Sequence, residues 1–410
     1  MTEKTDKNDT PAFVVSRSMV QIPIALVAAG LIALVVGLIV SPQRTWLNLT
    51  VDGFYVLSLG VSAVFFITTQ RLSSAKWSAP IRRVPEAFMG VLPAAAVLMI
   101  VLAFGFHSLY PWASGPAAAH AAEHEVRAIV PGHETYLIPA FVYARMIIVV
   151  GLWLVFARWF RKISLRADAS REAGLTGHVW LNRASGLFAP LFALTFTAAA
   201  YDWVISFDPN WFSTMFAVYM FAGCFVQGIA AIGLATVLLK RRGADGGKFG
   251  GEPVHTLGTM VLAFCTFWGY IWVCQYLLIW YGNIPEEVTF YITRSNPSWL
   301  PLFLLSFLIN WIIPFFVLLP RGNKRSLRVM TGICILVLLG RWLDLYITIM
   351  PFKWNAPHFG ILEIAMAAGI GGLIFLLFVR GLSRAPVVPP HDPVLAARRA
   401  HAAHAEGGAS

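Results

Sequence analysis

The sequence predicts an all-α integral membrane protein with ten transmembrane helices. Hydrophobic residues make up 58% of the 410 positions and charged residues only 12%, whereas a soluble domain carries about 25% charged residues. Apolar runs of about 20 residues, the length needed to cross a hydrocarbon core, recur along the whole chain. The basic residues lie mainly in the short segments between these runs, because hydrocarbon does not solvate charge.

Ten apolar runs define the helices and divide the chain. They are 22–40, 53–70, 87–106, 138–160, 187–207, 212–239, 257–280, 300–319, 329–349 and 359–379. The first run follows a polar segment and has no small-residue cleavage site after it, so we interpret it as a retained helix. The chain then consists of an N-terminal segment (1–21), a membrane domain (22–379) and a tail (380–410). The Pro, Ala and His content of the tail predicts disorder.

The distribution of Lys and Arg predicts the orientation of the helices. Most of the 31 basic residues lie in or beside the N-terminal segment, the even-numbered loops and the C-terminal tail. The odd-numbered loops contain only Arg44, Arg127, Arg294 and Lys353. Since basic loops stay on the cytoplasmic side, we expect both termini in the cytoplasm. The regular alternation also supports the count of ten helices in a bacterial inner membrane.

Composition argues against several classes of partner and cofactor. The net charge of +11 is spread over short loops and forms no continuous basic face, so we expect no nucleic-acid partner. The four cysteines fall inside apolar runs, which disfavours a disulfide framework or a zinc site. A haem-attachment motif and paired mid-helix histidines on separate helices are absent. We therefore expect no cofactor bound by this chain.

One long loop, 108–137, contains several histidines and glutamates. His120 and His124 are spaced to share a helical face, a pattern compatible with a metal site. We favour the simpler interpretation, an Ala-rich solvated loop that lies against a partner.

A possible internal repeat relates the fifth and ninth predicted helices. Asp202 and Asp344 each precede a proline by seven residues, and a tryptophan follows each proline. The two helices lie four apart and run in the same direction, so helices two to five and six to nine form candidate parallel repeats. These two units span about 53–207 and 212–349.

Ionisable residues inside the predicted helices are the main functional candidates, since charge in hydrocarbon is costly. Arg341 and Asp344 are three residues apart and share a helical face. Arg145 lies at a similar depth to Asp202. In a structural interpretation, Arg341 and Arg145 pair with the two aspartates and lock the helices together. In a functional interpretation, the carboxylates exchange protons; we favour this slightly for Asp202, whose own helix has no arginine.

Two further groups of polar residues extend these candidates. Glu86 opens the third helix, where complementing the helix macrodipole is favoured over a role in proton entry. Between the two membrane surfaces, Gln227 and Tyr270 are placed to hold water or to bond adjacent helices.

Three long stretches of this chain resemble one family. They are APIRRVPEAF at 79–88, YDWVISFDPNWFSTMF at 201–216 and QYLLIWYGNIPEE at 275–287. They are similar to the F subunit of alternative complex III, a bacterial quinol:cytochrome c oxidoreductase. That subunit belongs with the membrane anchors of polysulfide-reductase type. The resemblance covers nearly all ten helices and excludes the polar termini and the His-rich loop.

The resemblance implies both a fold and a set of partners. The fold is two four-helix bundles, helices two to five and six to nine, with two peripheral helices. The partners are a homologous C subunit, a multihaem cytochrome, an iron–sulfur subunit, a monohaem cytochrome and small membrane subunits. A terminal cytochrome oxidase is a further possible partner. Haem c and iron–sulfur clusters would lie in those partners, and quinol is usually assigned to the C-type subunit.

The expected function is therefore a membrane subunit that supports assembly and a possible proton path, with no catalytic residue of its own. The proton-path candidates are Asp202, Asp344, Glu86, Glu286, Glu287, Gln227 and Tyr270. Arg341, Asp344 and Arg145 are the charge-pair candidates. One alternative is a quinone-binding subunit that uses Tyr201, Asp202 and His107. Another is a proton-coupled secondary transporter.

Overall fold

The structure, a computed structural model, describes Phe13 and residues 15–114 and 133–397. These residues form helices and turns without a β-strand, which confirms the all-α prediction. Ten helices within the described ranges are long and apolar enough to cross a membrane. They are α1 (Ser18–Val40), α2 (Pro42–Leu72), α3 (Arg83–Phe104), α4 (Pro139–Arg166), α5 (Arg171–Phe207), α6 (Phe216–Arg241), α7 (Glu252–Gly282), α8 (Leu300–Leu318), α9 (Leu327–Phe352) and α10 (Ile361–Leu382).

The ten predicted helices all correspond to observed ones, but two of them begin much earlier than expected. Helix α2 begins at Pro42. Proline suits this position because the first backbone N–H groups of a helix have no partner within the helix, and proline has no N–H to leave unpaired. Helix α5 begins at Arg171, where Ser170 Oγ accepts the backbone N–H of Ala173 at 3.1 Å. Hydropathy locates the apolar part of a helix and misses such polar extensions.

Two helices contain a local break. In α3, a 3₁₀ turn over Met89–Val91 separates two α-helical parts, immediately before Pro93. In α8, the residues Leu308–Ile312 widen into a π-helical turn ahead of Pro314. Because proline has no backbone N–H, the helix loses one hydrogen bond and adjusts locally around it.

Helices α2 and α6 lie at the centre of the molecule. Helix α2 packs against α3 and α5, and helix α4 contacts both α3 and α5. In the same way, α6 packs against α7 and α9, and α8 contacts both α7 and α9. The two sets meet where α2 packs against α6 and α9, and where α5 packs against α6.

Phenylalanine rings fill the junction between α2, α5 and α6. Phe65 stacks on Phe192 at a centroid distance of 4.5 Å and meets Phe225 edge-on at 5.0 Å. Phe221 also contacts Phe65 edge-on, at 5.4 Å. Such offset and edge-to-face pairs are favoured by the ring quadrupole. Shape-matched rings therefore hold these three helices together at their meeting point.

Helices α1 and α10 pack closely against each other at the edge of the molecule. A side chain at Gly30 would bring its Cβ within 2.8 Å of the Gly369 Cα atom. Small residues allow helix backbones to approach in this way. The other faces of α1 are exposed and apolar, as at Ile32 and Ile39, which are 64% and 78% exposed.

The two ends of the molecule differ in charge. At one end, called the basic end, arginines close α2 and α4 and open α3; they are Arg71, Arg82, Arg83 and Arg161. The opposite end carries Asp202 and the buried tryptophans Trp203 and Trp299.

The expected disorder of the tail does not extend to its first part. Val387 and Val388 are buried, and Asp392, 2% exposed, hydrogen-bonds to Arg82 at the basic end. Two apolar side chains and one carboxylate give this short segment enough contacts to pack, although its composition is that of a linker. Residues 398–410 lie outside the described residues.

Candidate functional site

Asp344 lies in a buried cluster between α6, α8 and α9. Arg341 Nη1 donates to Asp344 Oδ2 at 2.6 Å, one helical turn away. Tyr219 donates its hydroxyl to Oδ1, and Ser306 Oγ lies 3.4 Å from the same oxygen. The structure therefore brings the predicted pair together and adds partners from two other helices. A carboxylate with both oxygens engaged links three helices.

A glycine makes room for the Arg341 side chain. A Cβ atom at Gly223 would lie 1.9 Å from Arg341 Nη2 and 2.2 Å from Cζ. The guanidinium is buried and ion-paired, so moving it aside would disturb its contact with Asp344. Gly223 therefore leaves room for the arginine beside Asp344, a more specific role than close helix approach alone.

Asp202 lies in a second cluster, with Arg145 of α4. Arg145 Nε donates to Oδ2 at 2.7 Å and Nη2 donates to Oδ1 at 3.0 Å, which is bidentate geometry. The guanidinium also lies 3.9 Å from the ring centroid of Tyr136, and its Nη2 atom donates to the backbone oxygen of the same residue at 2.9 Å. The arginine partner of Asp202 thus comes from the neighbouring helix α4, which is the pair that the structural interpretation of the sequence names.

Glu86 forms a third cluster, at the basic end. Its Oε2 atom accepts from Arg83 Nη1 at 2.6 Å and from Arg161 Nη1 at 2.9 Å. Its Oε1 atom accepts the Ser164 hydroxyl and lies 3.2 Å from Arg82 Nε. Glu86 is in the first turn of α3, as a macrodipole role requires. Its main contacts, however, are with three arginines, so the ion-pair network describes it better than capping.

Several other predicted residues lie apart from these clusters. Gln227 is buried and donates to the backbone oxygen of Tyr55 at 2.9 Å. Tyr270, which the sequence places between the two membrane surfaces, is 59% exposed on the outer face of α7. Periodicity does not reveal which face of a nearly all-apolar helix is buried, so the sequence gives no sign of this exposure.

The remaining candidates lie at the opposite end. Glu286 and Glu287 are in the first turn of the short helix Pro285–Arg294. Tyr201 donates its hydroxyl to the backbone oxygen of Ser213 at 3.0 Å. His107 is exposed on the short helix Phe106–Leu109. Of the predicted histidine loop, His120 and His124 lie outside the described residues.

Sequence reasoning missed the role of Arg294, which had been counted only as a loop residue. Arg294 is 2% exposed and donates to the backbone oxygens of Ile347, at 3.1 Å, and Thr348, at 2.5 Å. It also lies 3.4 Å from the ring centroid of Phe290. Burial lowers the pKa of Arg294 to about 9, so it stays charged at neutral pH. It satisfies carbonyl groups that the end of α9 would otherwise leave open.

A further ion pair also escaped prediction. Glu363, at the start of α10, accepts from Arg44 Nε and Nη2, both at 2.7 Å, and from Asn48 Nδ2 at 2.9 Å. Nearby, Asp52 accepts the indole N–H of Trp342 at 2.9 Å. Each partner is about 300 residues away in sequence, and no local spacing signals such a pair.

The described residues contain no group of three or more His, Cys, Asp or Glu placed to hold a metal ion. The four cysteines are free, and three of them are buried. A scan against protein-family models and a search of curated proteins gave no match to this chain.

Proposed function

We propose that this chain is a membrane subunit of a quinol:electron-acceptor oxidoreductase of the alternative complex III type. It holds the membrane part of the assembly together and has no redox centre of its own. Electrons pass through haem c and iron–sulfur clusters in the partner subunits named above. The proposal starts from the three stretches that resemble the F subunit of that complex.

Contact between two of those stretches is the observation that carries the proposal. Gln275 Nε2, in the third stretch, lies 3.3 Å from Ser213 Oγ in the second. Trp211 Nε1, in the second, donates to the backbone oxygen of Glu287 at 2.9 Å. Segments separated by some 60 residues thus pack together at the opposite end. This contact is a reason for both stretches to keep a family pattern.

The packing pattern supports the proposed pair of four-helix bundles. Within α2–α5, consecutive helices contact one another and the last returns to the first, and α6–α9 repeat this pattern. Asp202 and Asp344 lie near the end of the last helix of their units, and each is ion-paired with an arginine. Helices α1 and α10 form a peripheral pair. This arrangement is what the resemblance implies.

The ion pairs favour a structural role for the buried charges. Asp202, Asp344 and Glu86 are each engaged by at least one guanidinium. Removing one partner from such a cluster leaves a charge buried without compensation. We infer that these clusters mainly hold the helices together. Any proton path through them is secondary to that role.

In this proposal the chain spans a bacterial inner membrane with the basic end in the cytoplasm. The basic end carries the Glu86 cluster with its arginines, as the positive-inside rule requires. The end that contains the two contacting stretches then faces the periplasm, where the electron-carrying partners lie.

Purification under mild detergent tests the proposal directly. A tagged full-length chain, extracted from its native membrane, should co-elute with c-type haem absorbance and with quinol-oxidising activity. A tag on an unrelated ten-helix membrane protein from the same cells provides the control. Elution alone or as a homo-oligomer, without haem, would contradict the proposal and would favour a secondary transporter.

A further inference from the structure

A cavity lined by both apolar and charged side chains lies at the basic end, between the end of α2, the start of α3, helix α5 and the tail. Its volume is about 160 Å³, far above the roughly 10–15 Å³ that one water molecule needs. Its walls carry three cationic side chains, Arg71, Lys76 and Arg82, together with His178 and a single carboxylate, Asp392.

Hydrogen-bonding capacity is left over on the cationic side of this cavity. Arg82 hydrogen-bonds to Asp392, and its Nε atom forms an ion pair with Glu86 Oε1 at 3.2 Å without a well-aligned hydrogen bond. Arg71 donates to His178 Nδ1 at 2.8 Å and reaches Asp392 only at 3.9 Å. Guanidinium donors aimed into a cavity are the usual partners of phosphate oxygens.

We propose that this cavity binds a phosphate group through Arg71 and Arg82, and that Asp392 competes with it from within the chain. The position of Asp392 shows that an oxyanion fits between the two arginines. Of the other carboxylates nearby, Asp168 is bonded to Arg83, and Glu86 is shared among Arg82, Arg83 and Arg161. Among the residues that line the cavity, three cations still face one carboxylate.

The cavity wall also indicates the source of the phosphate. Phe66, Ile67 and Val394 line it beside the arginines. A phosphate flanked by apolar surface is the chemistry of a phospholipid headgroup, and basic pockets beside membrane helices bind such groups. Free phosphate offers the same oxygens without an apolar part. The inference does not depend on the redox partners proposed above.

Native mass spectrometry of the full chain, in the assembly in which it purifies, measures binding to this site. One arm uses phosphatidylglycerol against a phosphatidylcholine background, and the other uses inorganic phosphate. We expect saturable binding in at least one arm. Arg71→Gln should raise the Kd about tenfold, since it removes a charged hydrogen bond. Asp392→Asn should lower the Kd about tenfold, because the competing carboxylate is lost.

The opposite signs of the two variants separate binding from misfolding, since a damaged fold does not bind more tightly. Arg158→Gln removes an exposed cation of α4 and should leave the Kd within about twofold of wild type. Arg71→Lys keeps the charge and should lie between wild type and Arg71→Gln. Binding in neither arm, or weaker binding after Asp392→Asn, would overturn the proposal.

Discussion

Individual charged residues in this chain are held by partners from other helices. Asp202 is the clearest case, because both of its carboxylate oxygens accept from Arg145 of α4. Asp344 accepts hydrogen bonds from Tyr219 of α6 and from Arg341 on its own helix. A buried carboxylate in such a position contributes to stability mainly through the penalty of leaving it unpaired.

A double-mutant cycle on Arg145 and Asp202 tests this view. Arg145→Gln should destabilise the protein by about 2 kcal/mol, less than the 3–5 kcal/mol of a fully buried pair, because the arginine side chain is 24% exposed. Combining it with Asp202→Asn should recover about 1 kcal/mol or more, since the two residues are in contact. The measurement is the free energy of unfolding in detergent.

The cycle also separates the structural role from proton transfer. Arg183→Gln, an exposed arginine on α5, should change stability by less than about 0.5 kcal/mol. If Asp202 carries protons, the double variant would assemble and yet lose quinol oxidation. Full activity in an assembled double variant would leave only the structural role.

The secondary-structure elements are positioned by close contacts at small residues and by caps at their ends. Helix α1 depends on a single neighbour for most of its contacts, α10, which it meets at Gly30 and Gly369. Arg294 plays a related part at the end of α9, where it bonds two open carbonyl groups. Both contacts use the backbone, so side-chain patterns reveal little of them.

Gly30→Ala should therefore loosen α1 from α10. The new Cβ would lie 2.8 Å from a backbone Cα atom, and backbone cannot move aside as a flexible side chain can. We expect a loss of about 1–3 kcal/mol in the free energy of unfolding and faster proteolysis near α1. Gly371→Ala on α10, where a Cβ meets nothing within 4 Å, is the matched control. Equal behaviour of the two variants would show that the close contact does not matter.

The whole molecule combines ten long apolar helices with a basic end and an opposite, less basic end. The proposed orientation places the basic end in the cytoplasm, because Lys and Arg are retained there during insertion. The tail reaches the same end through Asp392 and Arg82. Both described termini thus lie on one side of the proposed membrane.

Reporter fusions test this orientation. Green fluorescent protein fused after Ser410 should fluoresce, since it folds in the cytoplasm. Alkaline phosphatase fused after Asn283 should be active, and the same enzyme fused after Gly247 should be inactive. The reversed pattern in a bacterial host would contradict the positive-inside assignment, whereas activity of both phosphatase fusions would contradict the alternation of the helices.

The sequence predicted the class of structure and the number of long apolar helices, because hydrocarbon imposes length and composition on each helix independently. It also predicted the local pair of Arg341 and Asp344, whose spacing places them on one helical face. It did not predict the early starts of α2 and α5, because polar turns leave no signal in hydropathy. Nor did it show that Tyr270 faces outward, because α7 is apolar on nearly all sides.

What only the tertiary structure decided is which distant groups meet. Arg44 with Glu363 and Arg82 with Asp392 come from segments 319 and 310 residues apart. Such pairs have no periodic signature, since they depend on which faces of two packed helices come together. The sequence by itself determined ten apolar helices and their alternating basic loops, and the packing of those helices determined where each buried charge finds its partner.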